Sequence, residues 1–138
     1  MDNVVQIKPD MTGRAWPVIS DHLDRLFNND PDMGPKVVFE RILSGDWHLW
    51  TVWSEDKTSI QAVIAVSINN TGTGKPFARI ELMEGNRQRS DWLPLLTEIE
   101  NWAVDQGCNR VIAELPKYFA RDMPDWRMRG VVMERFIA

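Results

Sequence analysis

This sequence predicts an α/β (α+β) domain: a mixed, mostly antiparallel central sheet flanked by helices, in the order β-α-α-β-β-β-α-β-α-β. Three observations predict it. Extended segments follow one another at residues 48–54, 60–68 and 77–83, each dense in β-branched, aromatic or alternating apolar side chains. A strongly amphipathic helical pattern occupies residues 91–106 directly afterwards. A short strand pattern at residues 110–115 then follows that helix, as a parallel crossover requires.

Each element has a local reason. Residues 4–8 read as an opening strand, stopped by Pro9 and Asp10. Trp16, Ile19, Leu23, Leu26 and Phe27 recur at helical spacing, which predicts a helix over residues 14–28, with Pro17 tolerable in a first turn. The run Asn28-Asn29-Asp30-Pro31-Asp32 ends it. A weaker stripe of Val37, Val38, Arg41 and Ile42 predicts a second helix over residues 34–43, broken by Ser44-Gly45-Asp46. In the second extended segment Ile60, Ala62, Ile64, Val66 and Ile68 share one face. In the third, Ala78, Ile80 and Leu82 oppose Arg79 and Glu81. The helix at 91–106 carries Trp92, Leu95, Leu96, Ile99, Trp102 and Ala103 on one stripe. Ser90 or Asp91 can cap it, Pro94 sits in its first turn, and Gly107 supplies a left-handed stop. An irregular stretch at 116–129 with a short helix and a last strand at 131–137 complete the order.

Composition bounds the function classes. The 138 residues are enough for one domain with one core, and 43% hydrophobic with 26% charged residues is ordinary for a globular chain. No apolar run approaches the ~18 residues of a membrane span. The opening Met1-Asp2-Asn3-Val4 is acidic without a hydrophobic signal region, so secretion by a signal peptide is not expected. Cys108 is the single cysteine, which excludes an internal disulfide and suits a reducing compartment. The net charge of −4 conceals six Lys/Arg against four acids in residues 107–138, a mildly basic end too weak to argue for nucleic acid. Seven tryptophans against one tyrosine favour a well-packed core and leave room for an interface.

The junction after the third extended segment carries the most chemistry. Ile80-Glu81-Leu82-Met83-Glu84-Gly85-Asn86-Arg87-Gln88-Arg89-Ser90-Asp91-Trp92 passes from strand to helix, the place where a phosphate-bearing cofactor docks on free backbone N–H groups. This loop has one glycine, two arginines and a tryptophan where the backbone would have to come close. His22 and His48 show no metal-ligand spacing, Cys108 reads as a small buried hydrophobe, and Thr71-Gly72-Thr73-Gly74-Lys75 is a hairpin turn rather than a phosphate loop.

The element order over nearly the whole chain resembles the GNAT acyltransferase superfamily. The resemblance implies a mixed sheet opened between its fourth and fifth strands, with acyl-CoA held in the opening. Three strings look more narrowly like small GNAT-like proteins that tailed bacteriophages encode among their structural genes. They are Leu43-Ser44-Gly45-Asp46-Trp47-His48-Leu49-Trp50, Ile99-Glu100-Asn101-Trp102-Ala103-Val104-Asp105-Gln106-Gly107-Cys108 and Asp125-Trp126-Arg127.

What the resemblance implies for the site is mixed. The superfamily's pyrophosphate loop, Arg/Gln-x-x-Gly-x-Gly/Ala, falls on Arg87-Gln88-Arg89-Ser90-Asp91-Trp92. Arg87 matches the leading basic residue, and Arg89 and Ser90 are the other candidate cofactor contacts. Ser90 and Trp92 stand where glycine and a small residue belong, and Asp91 brings negative charge to a phosphate position. Glu81 or Glu84 matches positions of a catalytic base, and Tyr118 that of an acid for the leaving thiolate. The expectation is therefore a non-catalytic GNAT-fold structural or interaction protein without a cofactor. It would be a component of a tailed-phage virion, in the particle or the host cytoplasm, contacting phage structural proteins or further copies of itself. The alternative is an acyl-CoA-dependent N-acetyltransferase with a divergent CoA loop. Lys117, Tyr118, Phe119, Arg121, Trp126, Arg127 and Arg129 form the candidate interface, since they combine cations with large apolar side chains in an irregular stretch.

Overall fold

The computed structural model describes residues 3–26, 34–70, 72, 74–86 and 88–137. Five strands lie side by side in sequence order: β1 (Val4–Ile7), β2 (His48–Trp53), β3 (Ile60–Asn69), β4 (Phe77–Gly85) and β5 (Val111–Ala113). The first four are antiparallel, and β5 joins β4 in parallel after the helix α3 (Leu96–Asp105). Helices α1 (Thr12–Leu26) and α2 (Pro35–Leu43) cover one face of the sheet. The mixed, mostly antiparallel sheet flanked by helices is the architecture that the sequence predicts. The helix stop at 28–32, and Phe27 before it, lie outside the described residues. Among the described residues no helix is long and apolar enough to cross a membrane.

β3 sits at the centre and is buried on both faces, which is why its apolar residues run almost without interruption. Its Val63 and Ala65 meet Ile19, Leu23, Val38 and Ile42 from α1 and α2. Its Ala62, Ile64 and Val66 meet Leu96, Ile99 and Ala103 from α3 on the opposite side. Trp102 closes this second layer, its ring 4.6 Å from Trp50 edge-on and 4.9 Å from His48. Gly107 ends α3 at φ +90°, and the Gly107 and Cys108 amides donate back to the Val104 and Ala103 carbonyls.

Strict alternation fails at two places, each for the same reason. The β2–β3 register shifts between Val52 and Trp53, so Ile60 leaves the face of Ala62 and Ile64 and joins the α1–α2 layer. In β4, Ala65 pairs with Leu82 while Val66 pairs with Ile80, which leaves Glu81 as an extra residue without a cross-strand partner. Ala78 and Ile80 therefore face α3, whereas Leu82 faces α1 and α2. The predicted grouping of Ala78, Ile80 and Leu82 is corrected by this bulge.

Two further expectations are corrected. The helix at 91–106 is α-helical only from Leu96, after two 3-10 turns at Arg89–Asp91 and Leu93–Leu95. Pro94 lacks an N–H and disfavours helical geometry at the residue before it, so the regular helix starts beyond it. Neither Ser90 nor Asp91 makes a side-chain cap. The last strand, at 131–137, does not form: these residues are irregular, unpaired and exposed. β5 offers only three residues of ladder, too short an edge to hold a seven-residue strand against its own entropy.

Candidate active site

The opening in the sheet is made by strand lengths. β5 pairs with β4 only at Ala78, Ile80 and the Arg79 between them, and ends at Ala113. Beyond Ile80, β4 continues through Glu81 to Gly85 with β3 alone beside it. The parting of the strands therefore coincides with the Glu81 bulge. A bulged residue interrupts the ladder and bends the strand, and Glu81 stands without a cross-strand partner where the strands part. Its side chain is half-buried. The neighbouring Arg79 pairs instead with Glu114 at 3.5 Å, across the gap's β5 side.

The bulge also decides where Glu84 goes. Its carboxylate lies 2.9 Å from His22 Nδ1 of α1, with side-chain exposures of 14% and 16% for the two residues. A carboxylate and an imidazole in contact, mostly out of bulk water, can hold and relay a proton. His22 was not a sequence candidate. Its signal was faint: it sits one residue before Leu23, on the inward edge of α1, and 62 residues separate it from Glu84.

The loop between β4 and α3 is closed on itself. Gln88 N–H donates to Asn86 Oδ1, Asp91 N–H to the Gln88 carbonyl, and Trp92 N–H to the Arg89 carbonyl. The Trp92 indole is buried against Gly85, where a Cβ would overlap its ring, and its Nε1–H donates to the Asn86 carbonyl at 3.1 Å. Arg89 Nε donates to Asp122 Oδ2 at 2.8 Å, and its guanidinium lies 5.0 Å from the Tyr118 ring centre and 4.8 Å from that of Phe119. The 3-10 turn Lys117–Asp122 is thus fastened to the loop.

The remaining candidates scatter. Arg87 lies outside the described residues. Ser90 is exposed on its 3-10 turn, and Tyr118 is exposed and stacked on Phe119 with ring centres 5.2 Å apart. Lys117, Arg121, Arg127 and Arg129 face solvent, while Phe119 and Trp126 are half-buried against the α3-side core and Met123 is buried in it. Three perturbed groups sit elsewhere in the packing. Burial first, then the charge of Lys8, pulls the His48 pKa down. Burial and then Asp125 push the Glu100 carboxyl up, opposed by a hydrogen bond from Trp126. Burial raises the Cys108 thiol, which makes it a poor nucleophile.

An acyl-CoA fits this site in one part and not in another. The gap beyond Ile80 and the unpaired bulge suit a thioester arm laid against β4. At the pyrophosphate end, the Gln88, Asp91 and Trp92 amides are already spent on loop acceptors and Arg89 Nε on Asp122. A diphosphate there would have to displace contacts that the loop makes with itself.

No protein-family model matches the sequence, and no curated protein does. Solved structures do match. An acetyltransferase of Trypanosoma brucei superposes with a TM-score of 0.72 at 12% identity, covering 97% of this chain and 98% of its own. An aminoglycoside N-acetyltransferase in complex with CoA gives 0.70 at 15% identity, over 98% and 94%. Glucosamine-6-phosphate N-acetyltransferase from Arabidopsis thaliana gives 0.65 at 16%, over 98% and 97%. The chain has the GNAT fold. These likenesses correct the expectation of a non-catalytic component of a phage particle. All three solved structures are acetyltransferases by name. That expectation rested on glycines missing from one loop and on the tryptophan excess. That loop reports on the pyrophosphate end alone, and the parting of β4 from β5 lies outside it.

Proposed function

We propose that this GNAT-fold chain is an N-acyltransferase that takes its acyl group from acyl-CoA through a divergent cofactor loop. The observation that carries the reading is the Glu81 bulge. It coincides with the parting of β4 from β5, and it turns Glu84 onto His22. Acyl-CoA, when bound, supplies the activated acyl group as a thioester. The chain's own residues do the rest. Main-chain N–H groups freed at the bulge polarise the acyl carbonyl. Glu84 accepts the proton of the attacking amine, and His22 holds the carboxylate in place and shares the charge. Tyr118, on the turn after β5, returns a proton to the leaving thiolate. The solved structures of similar fold make amine-bearing sugars the first acceptors to try.

The test is acetyl transfer from acetyl-CoA to a panel of aminoglycosides, amino sugars and simple amines, read by mass spectrometry, beside calorimetry with acetyl-CoA. A saturable isotherm tighter than about 1 mM, together with transfer to at least one amine, is expected. Glu84→Gln should then lower kcat by about 10²-fold or more with binding of acetyl-CoA retained. No binding and no transfer across the panel would refute the proposal.

A further inference from the structure

The loop after β4 and the strand edge before it offer a donor opposite chemistries. A loop that binds a diphosphate keeps backbone N–H groups free for it. Here they are taken one after another. Asn86 N–H donates to the Gln61 carbonyl of β3 at 2.9 Å, and Gln88 N–H to Asn86 Oδ1 at 3.0 Å. Asp91 and Trp92 donate to the Gln88 and Arg89 carbonyls, Leu95 to that of Trp92, and Leu96 to those of Leu93 and Pro94. Pro94 has no N–H to offer. The 3-10 turns thus consume, before α3 begins, donors that a helix N-terminus ordinarily leaves open.

Side chains close the same place. The Trp92 indole, 1% exposed, fills the space over Gly85, where even a Cβ would overlap it. Arg89 gives its Nε to Asp122 and sets its guanidinium against the Tyr118 and Phe119 rings. Asp91 adds an exposed charge of the same sign as a diphosphate. The β4 edge is the reverse. β5 ends at Ala113, level with Ile80, so from Glu81 to Gly85 no strand among the described residues covers that edge. An open strand edge pairs with extended chains that carry amides. Pantetheine, the thiol-bearing arm of CoA, is such a chain.

We infer that the site recognises its donor by the acyl-pantetheine arm alone and makes no use of the nucleotide diphosphate. The inference rests on the acyltransferase reading and narrows it: the donor class is acyl-pantetheine thioesters, of which acyl-CoA is one. The divergent loop is then a closed wall beside the arm rather than a grip on phosphate. In the transfer the amine nitrogen bonds to the acyl carbon and the carbon–sulfur bond breaks. The amine gives a proton to Glu84, and the sulfur, receiving one from Tyr118, leaves as the pantetheine thiol.

The experiment uses the full chain and compares kcat/KM for S-acetylpantetheine and acetyl-CoA with one amine acceptor. The two should agree within about 3-fold, because a remote part of a substrate adds to the rate only where it is bound. Inorganic pyrophosphate and adenosine 3′,5′-bisphosphate, at about 1 mM each, should leave the rate unchanged. Hydrogen exchange gives a readout without turnover: saturating acetyl-CoA should slow exchange at 81–85 and leave 86–92 as in the free chain. An advantage of acetyl-CoA of about 10²-fold or more would overturn the inference and leave the acyltransferase reading standing. Competition by either phosphate compound, or slowed exchange at 86–92, would overturn it in the same way. Transfer from neither donor refutes that reading and the inference together.

Discussion

The two halves of β4 belong to one continuous strand yet serve opposite layers. From Phe77 to Ile80 the strand has β3 on one edge and β5 on the other, and it sends Ala78 and Ile80 into the α3 layer. From Leu82 to Gly85 it pairs with β3 alone, sends Leu82 into the α1–α2 layer and brings Glu84 to His22. One unpaired residue, Glu81, separates them. In an unbulged ladder that paired Glu81 as well, Glu84 would share the parity of Ala78 and Ile80 and face the apolar layer beside Trp92. A single inserted residue exchanges the faces of everything beyond it, and so turns what would be a buried, unpaired charge into a paired one.

Inserting one alanine between Leu82 and Met83 tests that lesson most severely. A regular ladder through the insert would carry Glu84 into the α3 layer, whereas deleting Glu81 would keep Leu82 opposite Ala65 and Glu84 opposite Val63. The insertion is expected to cost more than about 4 kcal/mol in denaturant unfolding, the range of a buried unpaired charge. An insertion variant with the native midpoint would show that the face of Glu84 decides nothing.

Trp92→Ala follows in size. Its indole is fully buried and braces the singly paired half through Gly85 and the Asn86 carbonyl. Truncation should cost about 3–5 kcal/mol. Gly85→Ala attacks the same contact from the strand side by pushing a methyl into the indole. It should cost about 1–3 kcal/mol and shift the tryptophan emission of Trp92, whereas Gly130→Ala, with open space around it, should leave stability unchanged within about 0.5 kcal/mol.

The smallest effect belongs to the doubly paired half. His48 pairs with Val66, which in turn pairs with Ile80. Its folded pKa is depressed by burial and then by Lys8, so the unfolded chain binds the proton more readily. Its contribution to stability is complete above the unfolded value of 6.5 and is lost as pH falls from there toward the folded value. A His48→Gln chain should lose this part of the slope between neutral and mildly acid pH, and a slope unchanged by the substitution would assign it to other groups.

Much of this molecule is written in short stretches of chain. The unbroken apolar run of β3, the stripe of α3, the left-handed stop at Gly107 and the succession of three strands follow from periodicity and turn chemistry, which act within a few residues. Even the degenerate loop was legible, since bulk at Trp92 and charge at Asp91 are local properties. The meaning of that loop was not. Reading it as the end of catalysis weighed that one contact region above the opening between the fourth and fifth strands, which the same reading expected.

The sequence by itself determined the elements and most of their inward faces, because a side chain's hydrophobicity and a backbone's preferences need no distant partner. Only the tertiary structure decided the site. The Glu81 bulge exists by virtue of pairing with β3, the Glu84–His22 contact joins residues 62 apart, and the Arg89–Asp122 bond joins residues 33 apart. It also decided that 131–137, a strand by pattern, stays unpaired in a single copy. A strand's hydrogen bonds belong to its neighbour, and no local pattern states whether that neighbour has an edge long enough to receive it.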